Sequence, residues 1–96
     1  MRINFSQVLK SISGEPIQDG TKIYTLSIAC VQALTANIPG DENVIGAQKF
    51  TRYLLAKKLY DATEVDVTVE EVVMLKELLS KVFGTAVVGP AFELLN

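Results

Sequence analysis

The chain has no histidine and a single cysteine in 96 residues. Without histidine there is no Ser-His-Asp or Cys-His pair, no imidazole base and no histidine metal ligand. The lone Cys30 excludes an intrachain disulfide. It also cannot build a structural zinc site, whose ligands come mostly from cysteine and histidine. A reactive thiol needs exposure and a nearby cation, so Cys30 reads as a small buried hydrophobe on a helix. One thiol is compatible with a reducing compartment. The six glycines are scattered and form neither G-x-G-x-x-G nor G-x-x-x-x-G-K-S/T, so no phosphate-cradling loop is present. A basic excess is missing as well. Nine Lys and Arg against eleven Asp and Glu leave a net charge of -2. That is the wrong sign for a domain whose main work is neutralising phosphates. No run approaches the roughly 20 apolar residues of a transmembrane helix. The opening MRINFSQVLKSIS lacks the apolar core of a signal peptide. The expected setting is the cytosol of the cell that makes the protein, away from membranes.

What is present belongs to a folded protein: 49% hydrophobic and 21% charged residues. The length fits one domain, 1–96, burying about two-thirds of the surface its unfolded chain exposes. Residues 3–12 carry two overlapping periods. Ile3, Phe5 and Gln7 alternate imperfectly, while Phe5, Val8 and Ile12 fit helical spacing. Turn clusters follow at Ser13-Gly14-Glu15-Pro16 and Asp19-Gly20, and Ile23-Tyr24 favours a strand. A small β-hairpin or meander across 3–24 is the reading.

Thr25 fits a helix N-cap, and helix 25–36 has apolar residues on both sides, as a largely buried helix does. Pro39 and Gly40-Asp41 are expected to end it. A second helix spans 47–61. Its large residues Phe50, Tyr53, Leu54, Leu55, Leu59 and Tyr60 spread around most of the helical wheel, with Lys49, Arg52, Lys57 and Lys58 interleaved. Such a helix is usually covered on more than one side, and a small domain cannot easily hide so much apolar surface. Glu64-Val65-Asp66-Val67 alternates like a short strand. Thr68-Val69-Glu70-Glu71 matches a capping box and opens helix 68–83, with the regular stripe Val72, Leu75, Leu79, Val82. Gly84 suits a helix stop, and Pro90 suits the first turn of a short terminal helix docked by Phe92 and Leu95.

Two charged groups deserve weighing. Asp61, Glu64, Asp66, Glu70 and Glu71 supply the oxygen donors of a hard-cation site. No EF-hand run accompanies them, and acids at an edge strand and a helix N-terminus are ordinary solvated charges. Lys49, Arg52, Lys57 and Lys58 can grip phosphates, with Tyr53 and Tyr60 as stacking faces. The plainer reading is solvated lysines whose stems cover an apolar flank, or pairing with the acidic start of the third helix.

A resemblance adds provenance. Ile3-Asn4-Phe5, Gln7-Val8-Leu9, Gly14-Glu15-Pro16, Thr25-Leu26, Arg52-Tyr53, Leu59-Tyr60, Glu64-Val65-Asp66 and Val87-Val88-Gly89 run nearly the whole length in this order. The pattern resembles small uncharacterised proteins of temperate tailed bacteriophages and prophages. Pro90 departs from it, standing where a helix-compatible residue is expected. The resemblance implies no known activity and no site residues. It implies a phage protein working in the host cytoplasm or built into a virion.

The expectation is therefore an α+β fold: a small N-terminal β-hairpin or meander followed by three to four helices packed together. The expected role is non-enzymatic, without cofactor, through contacts with a protein partner or another copy at Phe50, Tyr53, Leu54 and Tyr60. The alternative is a small regulator binding nucleic acid through Lys49, Arg52, Lys57 and Lys58. Metal-assisted catalysis at residues 61–71 is a third reading that lacks the usual ligands and bases.

Overall fold

The computed structural model describes residues 1–36, 38 and 45–95, with Asp19 described in its backbone alone. The expected helix-ending residues Pro39, Gly40 and Asp41 lie outside the described residues. The fold is α+β, with short strands at the N-terminal end and four helices packed together among the described residues.

Of the two periods in residues 3–12, alternation prevails. Ile3, Phe5 and Leu9 are buried, whereas Val8 is exposed and Ile12 stands fully in solvent. The helical spacing Phe5-Val8-Ile12 is thus a coincidence of sequence. Strand β1 (Arg2–Asn4) does not join a local hairpin as expected. It pairs antiparallel with β4 (Glu64–Asp66), in the register Arg2↔Asp66, Ile3↔Val65, Asn4↔Glu64. The extended path continues beyond it. The Phe5 amide donates to the Thr63 carbonyl at 2.7 Å and the Leu9 amide to Tyr24 at 3.0 Å. The amides of Leu26 and Ser27 donate back to the carbonyls of Gln7 and Phe5. The opening segment therefore runs between residues 24–27 and 63–67, which satisfies its backbone on both sides while Ile3, Phe5 and Leu9 face the core. Arg2 reaches Glu64 at 4.0 Å and Asp66 at 3.9 Å, in solvent. These exposed pairs add little energy, but they match the pairing of β1 with an acidic strand.

The hairpin proper is smaller than the expected 3–24. It joins β2 (Gln18–Asp19) to β3 (Lys22–Ile23). Gly20 takes φ +65° at the first position of its two-residue loop, the position a II′ turn reserves for glycine.

The helices are α1 (Leu26–Thr35), α2 (Gly46–Leu59), α3 (Val69–Val82) and α4 (Thr85–Leu95). α1 is the hub and packs against the other three. Its small residues Ala29, Cys30 and Ala33, all fully buried, allow that close approach. The Thr25 hydroxyl accepts from the Ile28 amide at 3.2 Å, as an N-cap should. The capping box of α3 is complete: the Glu71 amide donates to Thr68 Oγ1 at 3.1 Å and the Thr68 amide to Glu71 Oε1 at 2.8 Å. Val72, Leu75, Leu78 and Leu79 of α3 are buried, and Val82 is half-buried.

The C-terminal segment differs from expectation. α4 is an eleven-residue helix, not a terminal turn, and Pro90 lies inside it. Gly84 opens α4 instead of capping α3 in a left-handed conformation. Its carbonyl accepts the amides of Val87 and Val88 at 3.1 and 3.0 Å. An interior proline costs about 3 kcal/mol and leaves the carbonyl four residues back without its helical donor. That carbonyl belongs to Ala86, and Ala86 and Pro90 both line an open groove where solvent can serve it. Burial of Ala91 and Leu95, with Phe92 and Leu94 packed at the core edge, offsets the loss.

Candidate functional site

Helix α2 resolves into two apolar faces. At about 100° per residue, Leu55, Ala56 and Leu59 share one side, and all three are buried against the core. Phe50, Tyr53, Leu54 and Lys57 follow i, i+3, i+4, i+7 on the opposite side. Phe50 is 59% exposed, Tyr53 51% and Leu54 49%. The described residues of the chain cover one of these faces and leave the other exposed. Six large apolar residues looked dispersed because core anchors and outward residues are interleaved along the same stretch of about three turns.

Single exposed hydrophobics are ordinary, but three adjacent ones on one helix form a patch. Phe50 and Tyr53 stack with centroids 6.1 Å apart and planes at 21°. The Lys57 ammonium lies 5.9 Å from the Tyr53 ring centroid. The surface is thus ordered into a ring pair, an aliphatic neighbour and a cation. Tyr60, 75% exposed, keeps its helical place seven residues after Tyr53, with its amide donating to the Ala56 carbonyl at 2.9 Å and φ at -61°. It caps α2 with extended backbone, and Asp61 follows in the left-handed region at φ +52°. Tyr60 also lines a cleft of about 470 Å³ that includes Lys22, Thr25, Gln32 and Asp61.

The four cations divide in the same way. Lys49 and Lys57 are exposed on α2. Arg52 is half-buried and lines a groove toward α3 with Met74, Glu77 and Lys81. Lys58 Nζ lies 3.5 Å from Glu71 Oε1, so the expected pairing of basic α2 with the acidic start of α3 is present at this position. The structure therefore does not bring the four together as one phosphate grip.

The acids are likewise dispersed. Glu64 and Asp66 face Arg2, and Glu71 serves the Thr68 cap and Lys58. Among the described residues no three carboxylate or thiol groups converge as a metal site. Cys30 is fully buried, and burial pushes its thiol up to about 12 from an ordinary 9.0. Desolvation disfavours the thiolate, so this sulfur is a packing atom and a poor nucleophile.

The end of α2 is held from below. The buried Ser27 hydroxyl donates to the Leu59 carbonyl at 2.6 Å. At the other end Ile45 supplies no side-chain cap, and residues 45–50 are exposed. The outward stripe therefore sits on a helix anchored at its C-terminal half.

Sequence reasoning missed two features. One is the cleft beside Tyr60. The other is a groove of about 860 Å³ between the opening segment and α4, lined by Val8, Ile12, Ala86, Pro90 and Leu94. The alternation of Ile3, Phe5 and Leu9 was the signal for the second, since it sends Val8 outward.

Among the described residues no helix is long and apolar enough to cross a membrane. Compared with known proteins, the chain matches no family model, no curated protein and no solved structure.

Proposed function

We propose that this chain is a small non-enzymatic protein that acts by docking another protein on the outward face of α2. The observation that carries the reading is the stripe Phe50, Tyr53 and Leu54, about half exposed on a helix whose opposite face already fills the core. Packed interfaces draw their energy from a few central aromatic and aliphatic anchors, and this stripe supplies both kinds. A catalytic role finds no support in the side chains: the chain has no histidine, and its one thiol is buried and held protonated. The resemblance to small proteins of temperate tailed phages supports, in our reading, docking in the host cytoplasm or within a virion. The partner is then a host factor or another virion component.

The experiment is affinity capture from the producing cells with the intact protein and with a Phe50→Ser/Tyr53→Ser/Leu54→Ser variant. The reading expects a polypeptide retained by the first and lost by the second. Equal retention by both contradicts it.

A second reading is nucleic-acid binding, favoured by the cation-only charge of α2. It predicts a salt-sensitive mobility shift of DNA or RNA, strongest at low salt of about 50 mM. Absence of any shift there removes it.

A further inference from the structure

We infer that the occupant of the outward α2 face is an acidic amphipathic helical segment of another protein. Its apolar side chains rest on Phe50, Tyr53 and Leu54, and its carboxylates lie beside Lys49 and Lys57. This rests on the reading of that face as a protein-docking surface and adds the chemistry of what docks there.

Shape is the first ground. Residues at i, i+3, i+4 and i+7 form a straight ridge about 10 Å long, two helical turns, with which the ridges of a second helix can interdigitate. Helix recognition reads such spacing on both partners.

Charge is the second ground. α2 contains Lys49, Arg52, Lys57 and Lys58 and no acidic residue, although the chain as a whole is net acidic. Arg52 lines the groove toward α3 and Lys58 faces Glu71, so Lys49 and Lys57 are the exposed cations that accompany the stripe. A carboxylate-flanked partner complements them, which favours correct encounter and rejects basic competitors. A second copy meeting through the same face in antiparallel fashion about the middle of the stripe brings Lys49 toward Lys57 of the other copy, and Lys57 toward Lys49, a like-charge contact.

The stripe itself also disfavours nucleic acid. Phe50 and Tyr53 stack on each other and Lys57 lies over the Tyr53 ring, so these ring faces are partly engaged already. Leu54 has no π-face for a base. Lys58 is matched by Glu71 at 3.5 Å, which lessens its pull on phosphate. Affinity for nucleic acid grows with the number of phosphates neutralised, and this face neutralises few.

The test is a displayed library of random peptides of about four helical turns, selected on the full-length protein and counter-selected on the Phe50→Ser/Tyr53→Ser/Leu54→Ser variant. All three residues are exposed, and an unchanged thermal transition confirms that the variant folds. The expected survivors are rich in Asp and Glu, with apolar residues at i, i+3, i+4 and i+7. Their Kd rises about tenfold or more with Lys49→Glu/Lys57→Glu and also with added salt. Neutral or basic survivors overturn the acidic occupant and leave the docking reading standing. If no survivor distinguishes the intact protein from the triple variant, both are overturned. Sedimentation equilibrium and an oligonucleotide titration complete the test. A dimer that the triple variant dissociates assigns the face to a second copy. Oligonucleotide binding abolished by Lys49→Glu/Lys57→Glu assigns it to nucleic acid. Either result overturns the proposal.

Discussion

The Ser27 hydroxyl donates a buried hydrogen bond of 2.6 Å to the Leu59 carbonyl, tying the first turn of α1 to the last turn of α2. The same carbonyl accepts the Ala62 amide at 3.1 Å. Ser27→Ala therefore removes one donor without orphaning the acceptor. A loss of about 1 kcal/mol is expected, read by urea denaturation with an unchanged m-value. A loss several times larger shows that α2 detaches when the tie is cut.

The two faces of α2 predict opposite responses to substitution. Leu59 is fully buried, and Leu59→Ala should cost about 2–5 kcal/mol through lost burial and the cavity left behind. Phe50→Ser, Tyr53→Ser and Leu54→Ser should each stay within about 0.5 kcal/mol, as exposed sites usually do. Denaturant midpoints of the four variants check both halves.

The capping box separates two roles of Glu71. Thr68→Ala removes the acceptor of the Glu71 amide and should cost about 1 kcal/mol. Glu71→Gln keeps an oxygen for the Thr68 amide but loses the charge facing Lys58, so its cost should fall below about 1 kcal/mol. Glu71→Ala loses both and should exceed Glu71→Gln. Thermal melts at low and high salt separate the terms, since only the charge term is screened.

Cys30 predicts an alkaline limb. Its thiol has an ordinary pKa of 9.0 when the chain is unfolded and is pushed up to about 12 by burial in the fold. Above pH 9.0 the unfolded chain releases this proton and the native chain keeps it. The contribution is intact below that pH and erodes by up to about 1.4 kcal/mol per pH unit as pH climbs toward the native value. Comparison with Cys30→Ala isolates this slope from the lysines and tyrosines that titrate in the same range. In the native state the thiol should also resist alkylation at about pH 8, and it should react once denaturant is added.

Local chemistry was the legible part of the sequence. Thr25 and Thr68 announce their helices because a cap is settled by side chains within three residues of it. The stripe of α3 announces its buried face for a similar reason, a single period with no competitor. The opening segment resisted because Phe5 belongs to two periods at once, and because the partner of β1 lies beyond all of α1 and α2. α4 resisted because a proline usually marks a helix start, whereas Gly84 provides an earlier one and the open groove spares the lost bond. For α2 the candidates were legible but their division was not. Phe50, Tyr53 and Leu54 are as apolar as Leu55 and Leu59, and only the packing of α1 tells which set faces inward. Tyr60 shares Tyr53's side through its seven-residue offset and also lines the cleft beyond the end of α2, which no local pattern announces.

The most direct measurement is site-specific photo-crosslinking in the producing cells. A photoreactive residue is placed at Leu54 and, as a control, at Val73 on α3; both positions are 49% exposed. The account predicts a discrete adduct with another polypeptide from position 54 and none from position 73. No adduct at 54, or equal adducts from both positions, would contradict it.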